Sequence, residues 1–289
     1  MASSPLNQNS NHHARSNSLP SRPHPLILQC NEHLCRLGAS DTTSSSSTSS
    51  LSSKLSCLQD LHECVEKLLQ LPLTQQAIVQ EELLDGSLRL LDICSAAKDA
   101  LIHTKECIRE LQSIIRRRPA GDMGLEREVR KYLMSRKVVK NAAQKALKGA
   151  ERKRGVKNHE TPAIVTALKE AEAATINVFE SLLSYIAGSK VVRSKSSNWS
   201  LVSKLVINPK RVACENEEAD GSEVEKVDAA LYSIIGQKRS KSDYTMQIEN
   251  VHNLLAKLEP VVQDLEEGLE CLFRRLIKTR VCLLNIFNN

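Results

Sequence analysis

From residue 53 onward, apolar side chains return every three to four positions, the spacing that gathers them on one face of an α-helix. Leu55, Leu58, Leu61, Val65, Leu68 and Leu69 form one such stripe. Pro72 stops it, and Thr74 is placed to cap a short segment running to about Leu84. Leu84, Leu88, Leu91, Cys94, Leu101, Ile108, Leu111 and Ile115 mark a second, long helix of about 30 residues, ended by Pro119 and Gly121. A third begins at Gly124, carries Leu125, Val129, Tyr132, Val139, Ala143, Ala146 and Ala150 on one face, and runs to Gly155. The fourth starts at Thr161 and Pro162, a cap followed by a first-turn proline, and runs to Gly188. Val224 to Ile235 reads as a fifth helix. The last, capped by Ser242 or Asp243, carries Ile248, Val251, Leu254, Leu258, Val261, Leu265, Leu269, Leu272, Leu276, Leu283 and Phe287, and Pro260 is placed to kink or divide it.

Upstream the pattern changes. Residues 1–23 are polar and punctuated by proline, and residues 40–56 hold ten serines and three threonines. Both stretches read as disordered or linker-like. Between them Leu26, Ile27, Cys30, Leu34 and Leu37 recur at helical spacing before Gly38, so a short amphipathic helix should dock on the main body. The expected organisation is a disordered Ser-rich tail over 1–53 with one short helix at about 25–38, then a helical bundle domain over 54–289. A long loop over 189–222 interrupts that domain, with an apolar knot at Trp199, Leu201, Val202 and Leu205 and an acidic run from Glu215 to Glu225. Each long helix can hide its stripe only against a neighbour. The fold class is therefore all-α: an elongated antiparallel helical bundle with coiled-coil-like long helices, monomeric or weakly dimeric. A homodimeric coiled coil through the last helix is the competing architecture.

Composition sharpens this. Only 3% of the 289 residues are aromatic and ten are glycine, so burial rests on Leu, Val, Ile and Ala, which favours helices over sheets. The net charge of +6 is too mild to imply nucleic-acid binding by itself. Nine cysteines, an odd number without a C-x-x-C pair, read as reduced intracellular thiols. No window approaches the apolar length of a membrane span. Cytoplasmic residence is expected, with chloroplast import or the nucleus as alternatives; the acid-free, Ser-rich first 31 residues suit a transit peptide, and Arg116–Arg118 with Arg152, Lys153 and Arg154 suit nuclear import.

Catalytic chemistry is hard to assemble from these residues. There is no G-x-S-x-G, no phosphate-cradling glycine loop and no H-E-x-x-H. His62, His103 and His252 stand singly on helices, and Cys30, His33 and Cys35 lack a second half for a zinc site. We expect no enzyme, no cofactor and no metal site.

Two features do point to partners. Residues 116–157 hold fifteen basic residues against four acidic ones. On the third helix Arg127, Arg130, Lys131, Lys137, Lys140, Lys145 and Lys148 lie off the apolar stripe, a face for an anionic lipid surface or an acidic protein unless the chain's own acidic loop neutralises it. Tyr132 is the sole aromatic there, which disfavours single-stranded nucleic acid. The second feature is Arg15-Ser16-Asn17-Ser18-Leu19-Pro20, an R-S-x-S-x-P pattern of the kind that 14-3-3 proteins bind when Ser18 is phosphorylated.

Several blocks resemble a known family: the tail from His13 to Pro25, Leu58 to Gln76, Leu83 to Cys94, Glu128 to Leu133, Val178 to Leu183, Trp199 to Leu205 and Gln263 to Val281. They are similar to the plant family of domain of unknown function 241, the BYPASS-related proteins, and the likeness covers nearly the whole chain. The resemblance implies a land-plant protein with a part in root and shoot development, and it brings no catalytic residues to carry over.

Overall fold

The computed structural model describes residues 24–39, 48–77, 81–117, 123–150, 162–188, 222–235 and 241–288. Among these residues it holds eight helices and no strand: α1 (Pro25–Ala39), α2 (Thr48–Leu69), α3 (Pro72–Ala77), α4 (Glu81–Arg117), α5 (Met123–Ala150), α6 (Ala163–Ala187), α7 (Glu223–Ile234) and α8 (Lys241–Asn288). At about 1.5 Å per residue, α4 and α8 run for roughly 55 and 70 Å.

Direction follows from the polar contacts between helices. Arg109 reaches Glu259, Lys98 reaches Glu270, and Arg280 donates to Leu84 O, so α4 and α8 are antiparallel. Leu55 lies against Gly268 and Glu63 pairs with Arg275, which makes α2 and α8 parallel. Glu82 pairs with Lys169 and Arg89 with Glu172, so α4 and α6 are parallel as well. The helices α2, α8, α4 and α6 thus stand at four corners, each packed on two of the others. An up-and-down chain necessarily runs its alternate helices the same way, so two edges of the expected antiparallel bundle are parallel. Outside the square, α5 lies on α4 and α6, α1 on α2 and α6, and α7 on α8.

The core fills the square. Leu58, Leu61, Leu68, Leu101, Ile108, Phe179, Leu182, Leu265, Leu269 and Leu272 have no exposed surface. Burying each such side chain contributes about 1.5–3 kcal/mol. On α8 the buried seam is Ile248, Val251, Leu255, Leu258, Val262, Leu265, Leu269, Leu272, Leu276, Thr279 and Leu283, alternating steps of three and four residues without a break. Leu255 and Val262 replace Leu254 and Val261, which are half-buried; α2, α4 and α7 all pack on α8. The heptads that suggested a homodimer are filled within one chain. Pro260 points to solvent, and α8 continues through it.

Several local expectations change. The Ser-rich stretch is helical from Thr48, since Leu51, buried four residues before Leu55, extends the stripe. Thr74 is not a cap: it sits inside α3 and its hydroxyl donates to Leu68 O at 2.6 Å. In the first turns of α4 the buried apolar positions are Leu83, Gly86, Leu90 and Ile93, whereas Leu88 is exposed; Cys94, Leu101, Ile108 and Leu111 are buried as expected. At Gly86 a Cβ would overlap the Glu172 carboxylate that pairs with Arg89, so a larger residue there would require that side chain to shift. Pro162 is itself the N-cap of α6. At the other end Gly188 adopts the left-handed conformation (φ 62°) that lets its N–H close the last turn, a geometry side chains resist. Ser222 and Glu225 form a reciprocal capping box at the start of α7.

Candidate functional site: the two faces of α5

Helix α5 carries opposite chemistries on its two sides. Leu125, Val129, Tyr132, Val139 and Ala143 are buried against α4 and α6. On the far side Arg127, Arg130, Met134, Lys137, Val138, Lys145 and Lys148 share one exposed stripe, at the three- and four-residue spacing of a helix face. Met134 is 72% exposed and Val138 63%, so two large apolar side chains stand in water between cations.

The seven basic residues expected on this face separate into two groups. Arg130 pairs with Glu126 one turn back, Lys131 with Glu110 of α4 at 2.5 Å, and Lys140 with Asp228 of α7 at 3.1 Å. Lys140 is therefore half-buried in an internal ion pair and does not belong to the open face. Arg127, Lys137, Lys145 and Lys148 are exposed and make no ion pair with a described residue. Of the acidic residues at the start of α7, Glu223 accepts from Tyr185 and Glu225 serves the cap, while Asp228 further along takes Lys140. Residues 215–221 lie outside the described residues, as does the Arg15, Ser16, Ser18, Pro20 motif.

Behind the stripe lies a residue that the pattern of apolar positions does not reveal. Arg136 occupies a seam position between Tyr132 and Val139 and is only 2% exposed. Its Nη2 donates to Ile186 O at 2.7 Å and its Nε to Asp228 Oδ1 at 3.3 Å. One guanidinium thus ties α5 to the last turn of α6 and to α7. Burial pushes the neighbouring Tyr132 phenol well above its usual range, so this ring is neutral and packed inside. The clue in the sequence is a lone Arg in an apolar stripe, matched by a lone Asp on the buried face of α7 between Val227 and Leu231.

Beside the basic stripe, α4 and α5 part to leave a groove of about 580 Å³, lined by Ile93, Ala96, Ala100, Val139, Ala142 and Ala146. Small side chains facing each other across two helices leave this volume unfilled. Elsewhere His62 is buried and paired with Thr175. Cys30 faces Cys64 whereas Cys35 is exposed, and among the described residues no three His, Cys, Asp or Glu side chains converge as metal ligands. No helix among the described residues is long and apolar enough to cross a membrane.

A family model described as Protein BPS1 matches residues 54–286. The chain belongs to the BPS1 family. No curated protein and no solved structure matches it. The match confirms the resemblance to the BYPASS-related proteins and places the chain among plant proteins connected with development. The BPS1 region takes in α5, Arg136 and Asp228, and almost all of the four-cornered core; α1 and the tail precede it.

Proposed function

We propose that this BPS1-family chain is a non-enzymatic helical interaction and regulatory protein of root and shoot development, and that the outer face of α5 is its main contact surface. The observation that supports this most is Met134 and Val138 held in water among Arg127, Lys137, Lys145 and Lys148. An apolar centre rimmed by charge is how a surface destined for a partner differs from a plain solvated helix. The internal polar groups have a different character: Arg136 joins three helices, and His62 joins α2 to α6. The test is affinity capture from plant tissue with the native chain and with a variant carrying Arg127→Gln, Lys137→Gln, Lys145→Gln and Lys148→Gln. The variant should lose specific proteins from the captured set; identical sets would remove α5 as the contact surface.

A second reading is that this face binds an anionic membrane surface from the cytoplasmic side. The two exposed apolar side chains share the stripe with lysines that can reach headgroups while their stems stay in the interface. Each basic residue near an anionic surface contributes about 1 kcal/mol, lost as salt screens it. Flotation with phosphatidylserine-containing vesicles should show binding at low salt that falls at high salt. The fourfold Gln variant should not float. Equal flotation of native and variant chains at both salts would sink this reading. Nucleic acid is a poorer partner, since Tyr132, the sole aromatic of α5, is buried and offers no stacking surface. Phospho-Ser18 is the proposed handle for a 14-3-3 protein, with Arg15 three residues ahead for a basophilic kinase and Pro20 to turn the bound chain outward.

A further inference from the structure

Helix α1 packs on the outside of the α2–α6 edge, and it does so through sulfur. It runs antiparallel to α2: Leu26 O and Cys30 lie against Cys64, and His33 O lies against Cys57. Cys30 and Cys64 are 0% and 2% exposed. Their sulfurs stand 2.9 Å apart, inside the roughly 3.5–4.0 Å of an ordinary non-bonded contact and within a small side-chain movement of the roughly 2.05 Å of a covalent S–S bond. The pair is ordered, since Cys30 Sγ–H donates to Cys64 Sγ and Cys64 Sγ–H donates to Leu26 O at 3.2 Å. Cys57, on the same face of α2 two turns earlier, is held separately by His33 O at 3.6 Å.

We propose that Cys30 and Cys64 are a reversible disulfide site, closed by an oxidant of the hydroperoxide class, that latches α1 onto the bundle. In the first step one thiolate attacks a peroxide oxygen; the O–O bond breaks, water leaves after protonation, and the sulfur becomes a sulfenic acid. The second sulfur then attacks it; the S–S bond forms, the S–O bond breaks, and a second water departs. Two thiols have lost two protons and two electrons, and one hydrogen peroxide has become two waters. A small dithiol reverses the bond by exchange, taking up the disulfide itself.

The packing also sets the rate. In the docked state both sulfurs are shut away from a dissolved oxidant, and burial holds the Cys30 thiol protonated, with the adjoining Cys64 sulfur adding to the effect. Reaction waits on local opening of α1, which is short and, among the described residues, packs mainly on α2 and α6. Once closed, the bond spans a separation of 34 residues, and the loop it removes from the undocked state should raise the protection of α1 amides by roughly several hundredfold.

The experiment uses the full-length reduced chain, treated with hydrogen peroxide, quenched, denatured and alkylated. Peptide mapping should show Cys30 joined to Cys64 with the loss of two hydrogens, undone by dithiothreitol, and hydrogen exchange should slow in α1. Cys30→Ser and Cys64→Ser should each abolish the cross-link, while Cys57→Ser should keep it. Should a Ser variant fold poorly, the cross-link map of the native chain alone still decides. The proposal is overturned if Cys30 and Cys64 remain alkylatable after the exposed Cys35 and Cys271 have been oxidised, or if either pairs instead with Cys57.

Discussion

Mild acid should reach the core first through His62. The side chain is enclosed where α2 meets α6, and its Nε2 lies 2.9 Å from Thr175 Oγ1. That hydroxyl already donates to Ala171 O at 2.7 Å. The imidazole must therefore donate through Nε2, and the ring that fits is neutral, with a bare Nδ1. Burial, joined by the nearby Arg275 guanidinium, pulls its pKa from 6.5 down to about 4. Unfolded, His62 takes its proton near pH 6.5. Between there and about pH 4 the unfolded chain binds more protons than the folded one, so stability falls as the pH falls. The displacement is worth about 3 kcal/mol, a large share of the roughly 5–15 kcal/mol that holds a domain together. Urea unfolding at about pH 7.5 and about pH 4.5 measures it, comparing the native chain with His62→Gln, whose amide still donates to Thr175. Carboxylate titrations are common to both proteins and cancel in the comparison. The native chain should lose about 2–3 kcal/mol more than the variant. Equal losses would refute the reasoning, because His62 would then titrate alike folded and unfolded.

Three further outcomes are expected. Asp228→Ala leaves Arg136 charged and enclosed, so it should cost about 3–5 kcal/mol, while Arg136→Met with Asp228→Leu should recover most of that loss; denaturant melts of the single and double variants decide, and an unrescued double variant would mean the pair does more than cancel its own desolvation. Leu265→Asp, on the fully buried seam of α8, should cost 4 kcal/mol or more, at about the upper limit for single substitutions, and an unchanged melting temperature would contradict the four-cornered packing. A peptide of residues 10–24 phosphorylated at Ser18 should bind a plant 14-3-3 protein in a calorimetric titration and its unphosphorylated form should not; silence from both would leave the tail without this role.

Helix content, the approximate extent of each long helix and the family were legible in the sequence. A 3.5-residue recurrence sustained from Ile248 to Leu283 admits no strand, and a helix whose every turn carries Leu or Val must be covered. The basic character of α5 was equally legible, because charge is a property of composition. What the sequence left open was every choice between neighbours. Leu254 and Leu255, or Val261 and Val262, are adjacent apolar residues, and only the helices packed around α8 decide which of each pair is buried. Leu51 drew α2 back into the Ser-rich stretch because a tertiary pocket outweighed weak local propensity. Lys140 and Arg136 look like further members of a basic helix until α7 brings Asp228 to them across 88 and 92 positions of chain. Periodicity is a one-dimensional property and fixes which residues share a helix face. Pairings such as Arg136 with Asp228, His62 with Thr175 and Cys30 with Cys64 join residues far apart in the chain, and they exist only once helices have packed.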